Sequence, residues 1–327
     1  KKSYEILKAK NKNKKIKIFN NYIDLNKILK KKVDYTMSCI VGLDGLDPTF
    51  KIIKYTKKIA IANKETIICA WDLILKQLKK YKTSFVPVDS EHFSIWYSIK
   101  ENQYKNIDKI YLTASGGPLL NISNKNFNNL KIKHVTKHPN WQMGKKISVD
   151  SSTMMNKVFE VIEAKNMFNI DYKNLYILIH PRSYIHAIIQ FHGGMIKIIA
   201  HSTTMEIPIF NSLYGQEFKN IKNKNLDISK LNDLNLSKIN SKKFPLVNVL
   251  KTLPKKNTLF ETVIVSANDA LVELFLVKKI NYTDIIHKML SIIKNKKYVK
   301  MKNKRPKKIS DIINLSKSVR LKINQMF

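Results

Sequence analysis

The chain has 327 residues, of which 44% are apolar. That length allows two or three domains with a sizeable core, and the apolar fraction is too high for a disordered protein. The sequence contains no apolar run long enough to span a membrane, and its first ten residues lack the apolar core of a signal peptide. The only two cysteines, Cys39 and Cys69, form no metal-ligand cluster, which favours free thiols in a reducing compartment.

A formal net charge of +36 raises the hypothesis of a basic nucleic-acid-binding protein. Phosphate and base recognition favours arginine, whose planar guanidinium presents a fork of donors. Only three of the 60 basic residues are arginine, and the lysines are spread along the whole chain. We therefore favour solvated lysine-rich faces and expect no specific nucleic-acid partner and no membrane partner, while the nucleic-acid binder stays open as an alternative.

The first part of the chain alternates between predicted strands and helices. The predicted strands are 14–19, 33–41, 58–63 and 85–88, and the predicted helices are 23–31, 46–56 and 66–80. This alternation predicts a parallel, doubly wound sheet, which binds ligands at the carboxyl ends of its strands. Two polar stretches, ANKE (62–65) and DSEH (89–92), fall at such ends.

The rest of the chain divides into a mixed region, a connector and a helical region. A strand running into a Gly-Gly turn is predicted over 109–118, and a strand leading into an amphipathic helix over 147–168. The Lys/Asn/Leu-rich stretch 216–243 is interpreted as a linker. From about 245 the pattern is helical to the end.

Asp89 and Glu91 are two residues apart after a buried strand. In an extended segment both side chains point to the same side, where two carboxylates repel unless they share a cation or a proton. Oxygen ligands of this kind suit Mg²⁺ or Mn²⁺, whereas the alternative is a polar turn with two solvated acids.

A third acid is expected on the helix that follows Ser151. Asn156, Glu160 and Glu163 share one face of that helix, with Lys157 on its flank. Either a metal or Lys157 could neutralise the two acids, and spacing alone does not choose between Glu160 and Glu163.

Three further polar motifs allow both a functional and a purely structural interpretation. DSST (150–153) either caps a helix start or binds an anion there, and Ser115 before two glycines either approaches a phosphate or makes a turn. HPNWQMG (138–144) is typical of a mobile lid or of a surface loop. Four histidines in an apolar region are interpreted as core or surface residues: His180, His186, His192 and His201.

Taken in order, these motifs resemble the 1-deoxy-D-xylulose 5-phosphate reductoisomerase family. The resemblance is carried by ANKE, VPVDSEH, SGGP, HPNWQMGKKISVDSSTMMNK, Glu160, IHPRSYIH and Met205, and it continues weakly through VSANDALVELFL. It implies an α/β fold with a partial Rossmann-like parallel sheet domain, an α/β catalytic domain and a C-terminal helical domain. The expected boundaries are 1–88 for an incomplete NADPH-binding domain, 89–215 for the metal and substrate domain, 216–243 for the linker and 244–327 for the helical domain.

The resemblance also implies a reaction. Members of the family convert 1-deoxy-D-xylulose 5-phosphate to 2-C-methyl-D-erythritol 4-phosphate in non-mevalonate isoprenoid biosynthesis. They cleave and rejoin a C–C bond with the help of Mg²⁺ or Mn²⁺, with Co²⁺ a further option, and then reduce the aldehyde with NADPH. Asp89, Glu91 and Glu160 match the metal ligands, and Glu160 rather than Glu163 occupies the family position.

Other positions match residues with known roles in the family. Lys157 and His138 join the metal ligands as catalytic candidates. The substrate contacts, besides Glu91, Lys157 and Glu160, are Lys64, Ser90, Ser115, His138, Trp141, Ser151 and Asn156. The cofactor contacts are Asn63, Glu65, Gly144, Ser183 and Met205. Trp141 and Met143 match the lid that closes over the ligand.

Several departures accompany the resemblance. The family's Gly-rich turn for the NADPH phosphates has no counterpart, since the first glycine is Gly42. We therefore expect a fragment or a decayed gene with a short N-terminal sheet, and a non-catalytic remnant is an alternative. Val158, HSTTM (201–205) and Asp269 also differ from the family pattern. The resemblance further implies a homodimer, inhibition by fosmidomycin, and a location in bacterial cytoplasm or, in a eukaryote, in the plastid stroma.

Overall fold

A three-stranded and a five-stranded β-sheet organise the chain in this computed structural model, which describes residues 2–13, 15–22, 24–99, 101–215, 221 and 228–327. The strands are β1 Val33–Ser38, β2 Thr56–Ile61, β3 Ser84–Pro87, β4 Ile107–Ala114, β5 Leu175–Ile179, β6 Ile185–Phe191, β7 Ile196–Ala200 and β8 Ser237–Lys238. The α-helices are α1 Lys2–Lys10, α2 Leu25–Ile28, α3 Leu46–Ile52, α4 Lys64–Lys80, α5 Ser90–Ser98, α6 Ile132–Thr136, α7 Lys145–Ser152, α8 Met155–Phe168, α9 Glu206–Tyr214, α10 Ser229–Asn232, α11 Leu259–Leu276, α12 Tyr282–Lys294, α13 Lys296–Val299 and α14 Ile309–Asn324.

The first sheet has the order β1-β2-β3 and is parallel throughout, as the alternation of strands and helices predicts. Its register pairs Val33 with Thr56 and Lys58 with Ser84. Parallel strands need a crossover, and α4 supplies the one between β2 and β3. The carboxyl ends of β2 and β3 therefore bring ANKE and DSEH to the same edge of the sheet.

The second sheet has the order β7-β6-β4-β5-β8. β4 and β5 are parallel, whereas the β4–β6, β6–β7 and β5–β8 pairs are antiparallel. This mixed sheet and the parallel one confirm the expected α/β class.

Helix α8 lies between the two hydrophobic clusters of the chain. Phe159 and Ile162 belong to a cluster shared with α4 and α11, and Val161 and Ala164 belong to a cluster around the second sheet. A helix that is buried on both sides holds its side chains rigidly. Glu160, which is 1% exposed, is therefore fixed between the two clusters.

Two predicted strands are wrong. The described residues of 14–19 form no strand, and Ile16 and Phe19 are about half exposed. A strand without a paired neighbour leaves its backbone groups unsatisfied, so alternation alone does not stabilise it. The predicted helix over 23–31 is confirmed only as the short α2. The one over 46–56 is confirmed as α3, which a 3-10 helix, Ile53–Tyr55, continues.

The predicted strand at the start of 147–168 is a helix, because α7 precedes α8 there. The alternation Ile-Ser-Val-Asp suggests a strand with a polar face, yet Ser148 and Ser152 are both buried. Their hydroxyls donate to the carbonyl oxygens of Gly144, at 3.0 Å, and Val149, at 2.7 Å. The helical carbonyl oxygens thus accept hydrogen bonds from the Ser148 and Ser152 hydroxyls, so these two side chains can be buried.

Residues 216–220 and 222–227 of the predicted linker lie outside the described residues. The described remainder contains α10 and β8, and β8 pairs with β5 through Leu178 and Lys238. The helical pattern predicted from 245 is confirmed by a 3-10 helix, Pro245–Thr252, and by α11 to α14. Within the described part of the chain, no helix is both long and apolar enough to cross a membrane.

Candidate active site

A cavity of about 260 Å³ lies where residues following β2, β3 and β4 meet α8. It brings together most of the residues singled out in the sequence. These are Lys64, Asp89, Ser90, Glu91, Ser115, His138, Trp141, Met143, Ser151, Asn156, Lys157, Glu160, Ser183 and Met205.

Three carboxylates converge in this cavity. Single oxygens of Asp89, Glu91 and Glu160 all lie within 4.8 Å of one another. Asp89 is the N-cap residue of α5 and Glu91 lies in its first turn, so the expected extended segment is wrong although the side chains do converge. An all-oxygen donor set, with Glu160 buried and Asp89 and Glu91 partly buried, fits a hard divalent cation such as Mg²⁺.

Two lysines lie against these carboxylates. Lys64 Nζ lies 2.8 Å from Asp89 and 3.5 Å from Glu160, and Lys157 Nζ lies 2.6 Å from Glu91 and also contacts Glu160. Burial and the neighbouring carboxylates raise the pKa of Glu160 to about 8. Burial opposes ionisation of Glu91 as well, but Lys157 outweighs it and holds the pKa of Glu91 well below its usual value.

Glu163, the second acid of the helical face, lies behind this group. Its carboxylate, with His92 and Asp89, forms another cluster within 4.8 Å. His92 Nε2 donates to the backbone oxygen of Glu160 at 2.8 Å, and its Nδ1 lies 3.9 Å from Glu163. Glu160 lines the cavity, whereas Glu163 is not among its lining residues.

Ser115 and His138 form a polar network on another wall of the cavity. The backbone N–H groups of Asn140 and Trp141 donate to His138 Nδ1 at 3.1 and 3.0 Å. The proton of this imidazole is then on Nε2, which donates to Ser115 Oγ at 3.0 Å. The Gly117 N–H also donates to Ser115 Oγ, at 2.9 Å, so the Ser115 hydroxyl proton is left to donate to an anion.

Gly117 connects this network to Ser151. Its φ is +64°, and a Cβ there would lie 2.7 Å from the backbone oxygen of Ser151. Only glycine fits this position without displacement, which explains the Gly-Gly turn. The expected helix start at DSST is wrong, because 150–152 end α7 and the left-handed Met154 separates it from α8.

Residues of the HPNWQMG segment (138–144) lie against the cavity. Trp141 and Met143 line it. Asn140 Nδ2 donates to the Pro181 carbonyl at 2.6 Å and to Ser183 Oγ at 2.9 Å. The loop is therefore attached to the turn between β5 and β6 by hydrogen bonds from a single side chain.

The expected cofactor residues fall into two groups. Ser183 and Met205 line the cavity, whereas Asn63, Glu65 and Gly144 are not among its lining residues. Asn63 caps α4 by accepting from the Thr66 N–H at 2.7 Å, and Glu65 pairs with Lys146 at 3.2 Å. Gly144 is the N-cap residue of α7, and no atom lies within 4 Å of where its Cβ would be.

Family models and a close relative identify the family of the chain. Family models described as 1-deoxy-D-xylulose 5-phosphate reductoisomerase match residues 1–71, and models of its C-terminal domains match 85–168 and 201–322. A reductoisomerase of Pelagibacter ubique is 56% identical over 317 residues, which are 96% of this chain and 82% of that protein. The chain belongs to the 1-deoxy-D-xylulose 5-phosphate reductoisomerase family.

Further relatives agree with this membership. A reductoisomerase of a Sulfurihydrogenibium species is 38% identical over 84% of this chain and 72% of its own length. A reductoisomerase crystal structure in complex with NADPH, fosmidomycin and magnesium has a TM-score of 0.84 at 29% identity, and covers 98% of this chain and 82% of that one. The Zymomonas mobilis reductoisomerase in complex with NADPH has a TM-score of 0.79 at 29% identity, and covers 91% of this chain and 76% of that one.

Several cavity residues were missed in the sequence. Thr113 lies two residues before Ser115 in an extended stretch, so the rule applied to Asp89 and Glu91 would have found it. His186 was interpreted as a core or surface histidine; it is buried, yet it also lines the cavity. Apolar wall residues such as Ile147 carry no chemical signal in the sequence.

Proposed function

We propose that the chain catalyses the NADPH- and metal-dependent conversion of 1-deoxy-D-xylulose 5-phosphate to 2-C-methyl-D-erythritol 4-phosphate. The observation that carries this function is the convergence of Asp89, Glu91 and Glu160 in one cavity. The same cavity is lined by the lid and by the Ser115–His138 hydrogen-bond network. Membership of the reductoisomerase family and the related structures with NADPH and magnesium support it.

In this proposal the three carboxylates hold Mg²⁺, or Mn²⁺ or Co²⁺, beside the reacting carbons. When bound, the metal supplies Lewis-acid polarisation of the substrate oxygens, and NADPH supplies hydride. Lys157 Nζ, 2.6 Å from Glu91, holds a proton close to where negative charge develops on a substrate oxygen. Lys64 and Ser90 contact the substrate from the same side.

The substrate phosphate is assigned to the part of the cavity that Ser115, Ser151 and Asn156 line, where Asn156 also accepts from Lys64 at 2.7 Å. Ser115, Ser151 and Asn156 would donate to it, with neutral His138 orienting the Ser115 hydroxyl through the hydrogen bond at 3.0 Å. Burial lowers the pKa of His138 to about 4, so this imidazole adds no charge at neutral pH. Trp141 and Met143 would close over the substrate and exclude water.

The cofactor is assigned to Asn63, Glu65, Gly144, Ser183 and Met205. Ser183 and Met205 line the cavity and would face the nicotinamide.

We also propose, by analogy with the family, the domain division 1–88, 89–215, 216–243 and 244–327. The same analogy supports a homodimeric assembly and a cytoplasmic location.

The test is NADPH oxidation by the chain on addition of 1-deoxy-D-xylulose 5-phosphate and Mg²⁺. The expected result is NADPH consumption that requires both additions and that a chelator abolishes. A chain that is folded by thermal melting but oxidises no NADPH would contradict the proposal. If such a chain also bound no NADPH, the non-catalytic remnant would be the better account.

A further inference from the structure

Two histidine rings stack where β6 and β7 lie side by side. The ring centroids of His186 and His201 are 3.7 Å apart and their planes differ by 17°. On the lid side, the Trp141 ring meets His186 edge to face, at 6.1 Å and 71°. The aromatic contacts thus run from His201, which directly follows β7, through His186 to the lid.

The hydrogen bonds fix which nitrogen of each ring carries the proton. A backbone carbonyl only accepts, so His186 Nε2 donates to the His201 carbonyl at 3.1 Å. By the same reasoning, His201 Nδ1 donates to the Ser202 carbonyl at 2.8 Å. Burial lowers the pKa of both rings, that of His186 to about 3, so two neutral rings stack without repulsion.

The His201 ring presents its face to His186. Among the described residues, His201 Nε2 is buried and has no hydrogen-bond partner. His201 is also absent from the lining of the cavity, whereas His186 and Trp141 both belong to it. The stacked His186 ring therefore connects the His201 side chain to the cavity.

We propose that His201 is a positioning residue, whose ring holds His186 as a rigid platform for Trp141 when the lid closes over the substrate. This inference rests on the proposed function, because it takes the cavity ligand to be the substrate. The lid is also attached through Asn140 to the turn between β5 and β6 and through His138 to Ser115. Without the stacked face, the His186 ring gains rotational freedom and the closed lid loses a contact.

The experiment compares His201→Leu, which removes the flat ring, with His201→Phe, which keeps one. Aromatic pairs contribute enough that the Leu variant should raise the substrate KM and the fosmidomycin Ki by roughly 2- to 10-fold. The value of kcat should change less, and the Phe variant should restore KM and Ki. His192→Leu is the matched control, since the His192 side chain is 66% exposed and should leave both constants unchanged.

A double-mutant cycle with Trp141→Leu tests the coupling between the two rings. In the Trp141→Leu background, His201→Leu should have no further effect on Ki. Fold-changes that multiply independently, or Leu and Phe variants that behave alike, would overturn the proposal. Should His201→Leu not fold, His201→Gln gives the same comparison. An inactive unmutated chain would count against the proposed function, whereas an active chain without coupling would count against the stack alone.

Discussion

At the scale of single residues, the Ser115 oxygen shows how the site prepares for an anion. It accepts from the His138 ring at 3.0 Å and from the Gly117 N–H at 2.9 Å. With both lone pairs used, its own proton is directed to a third partner. A hydroxyl that is oriented before binding loses little entropy when the ligand arrives.

Ser115→Ala should therefore weaken substrate binding. A hydrogen bond to a charged group is strong enough that the substrate KM should rise roughly 10- to 100-fold, with kcat nearly unchanged. Steady-state kinetics measure this, with Ser123→Ala as the control because Ser123 is exposed and outside the cavity. A fall in kcat at unchanged KM would contradict the phosphate-binding role of Ser115.

The sequence identified most of these residues because their chemistry is visible in their side-chain types. Asp89, Glu91 and Ser115 are polar residues that follow predicted strands, and Glu160 lies on one face of a predicted helix. His186 was not predicted as a site residue, because a histidine in an apolar stretch is more often structural. Only the fold shows that it lines the cavity.

At the scale of elements, the end of α8 is a position where the backbone constrains the residue. Asn169 is the C-cap residue of α8, is exposed, and has a φ of +53°. Left-handed backbone is tolerated by Asn and preferred by Gly, whereas β-branched residues fit it poorly.

Asn169→Gly should raise the free energy of unfolding slightly, and Asn169→Val should lower it by roughly 1–2 kcal/mol. Urea unfolding of both variants measures the difference. Equal stability of the two variants would show that the left-handed turn does not end α8.

A buried charge cluster connects α7 to α11 and α4. Lys146 Nζ lies 2.9 Å from Asp150, 2.9 Å from Asp269 and 3.2 Å from Glu65, so one cation faces three carboxylates. Burial raises the pKa of Asp269 to about 6, although Lys146 opposes the shift. The ionised form of Asp269 therefore costs free energy in the folded state.

Asp269→Asn should stabilise the chain at neutral pH. A raised carboxyl pKa means that the folded state binds the proton more tightly, so this group's penalty grows as pH rises between its unfolded value of 3.8 and about 6. The variant should be more stable by roughly 1–3 kcal/mol at about pH 7 and nearly equal to the parent at about pH 4. A difference independent of pH would contradict the raised pKa.

The sequence pattern predicted most helices and strands, but it predicted a strand where α7 lies. Ile-Ser-Val-Asp alternates like a strand, and no local signal shows that Ser148 and Ser152 bond to helical carbonyls. The same is true of 14–19, where alternation is present but the described residues, 15–19, pair with no neighbouring strand. Tertiary context decides both cases.

At the scale of the whole molecule, the site is built from distant parts of the chain. Lys64 comes from α4, Ser115 follows β4 and Glu160 comes from α8. The parallel sheet and the position of its ligand edge followed from the sequence pattern alone. The packing of α8 between two hydrophobic clusters did not, because it depends on contacts between residues far apart in sequence.

Ligand binding should stabilise this arrangement as a unit. Fosmidomycin with Mn²⁺ at about 100 times its Kd would add roughly 2.7 kcal/mol, which should raise the melting temperature by several degrees. Thermal melting with and without Mn²⁺ measures the shift, and DNA at the same concentration serves as the control for nonspecific anion binding to the lysine-rich surface. No shift at saturating inhibitor and Mn²⁺ would contradict the site.

We propose that Asp89, Glu91 and Glu160, rather than Asp89, His92 and Glu163, hold the catalytic metal. The most direct measurement is Mg²⁺-dependent NADPH oxidation by Glu160→Gln beside Glu163→Gln, with Mn²⁺ binding measured on both. Glu160→Gln should lose roughly 100-fold or more in activity, since even residues behind a metal ligand can cost that much. Glu163→Gln, which keeps the shape of the side chain, should retain most activity and bind Mn²⁺. Loss of Mn²⁺ binding in Glu163→Gln, with activity kept in Glu160→Gln, would contradict this assignment of the metal ligands.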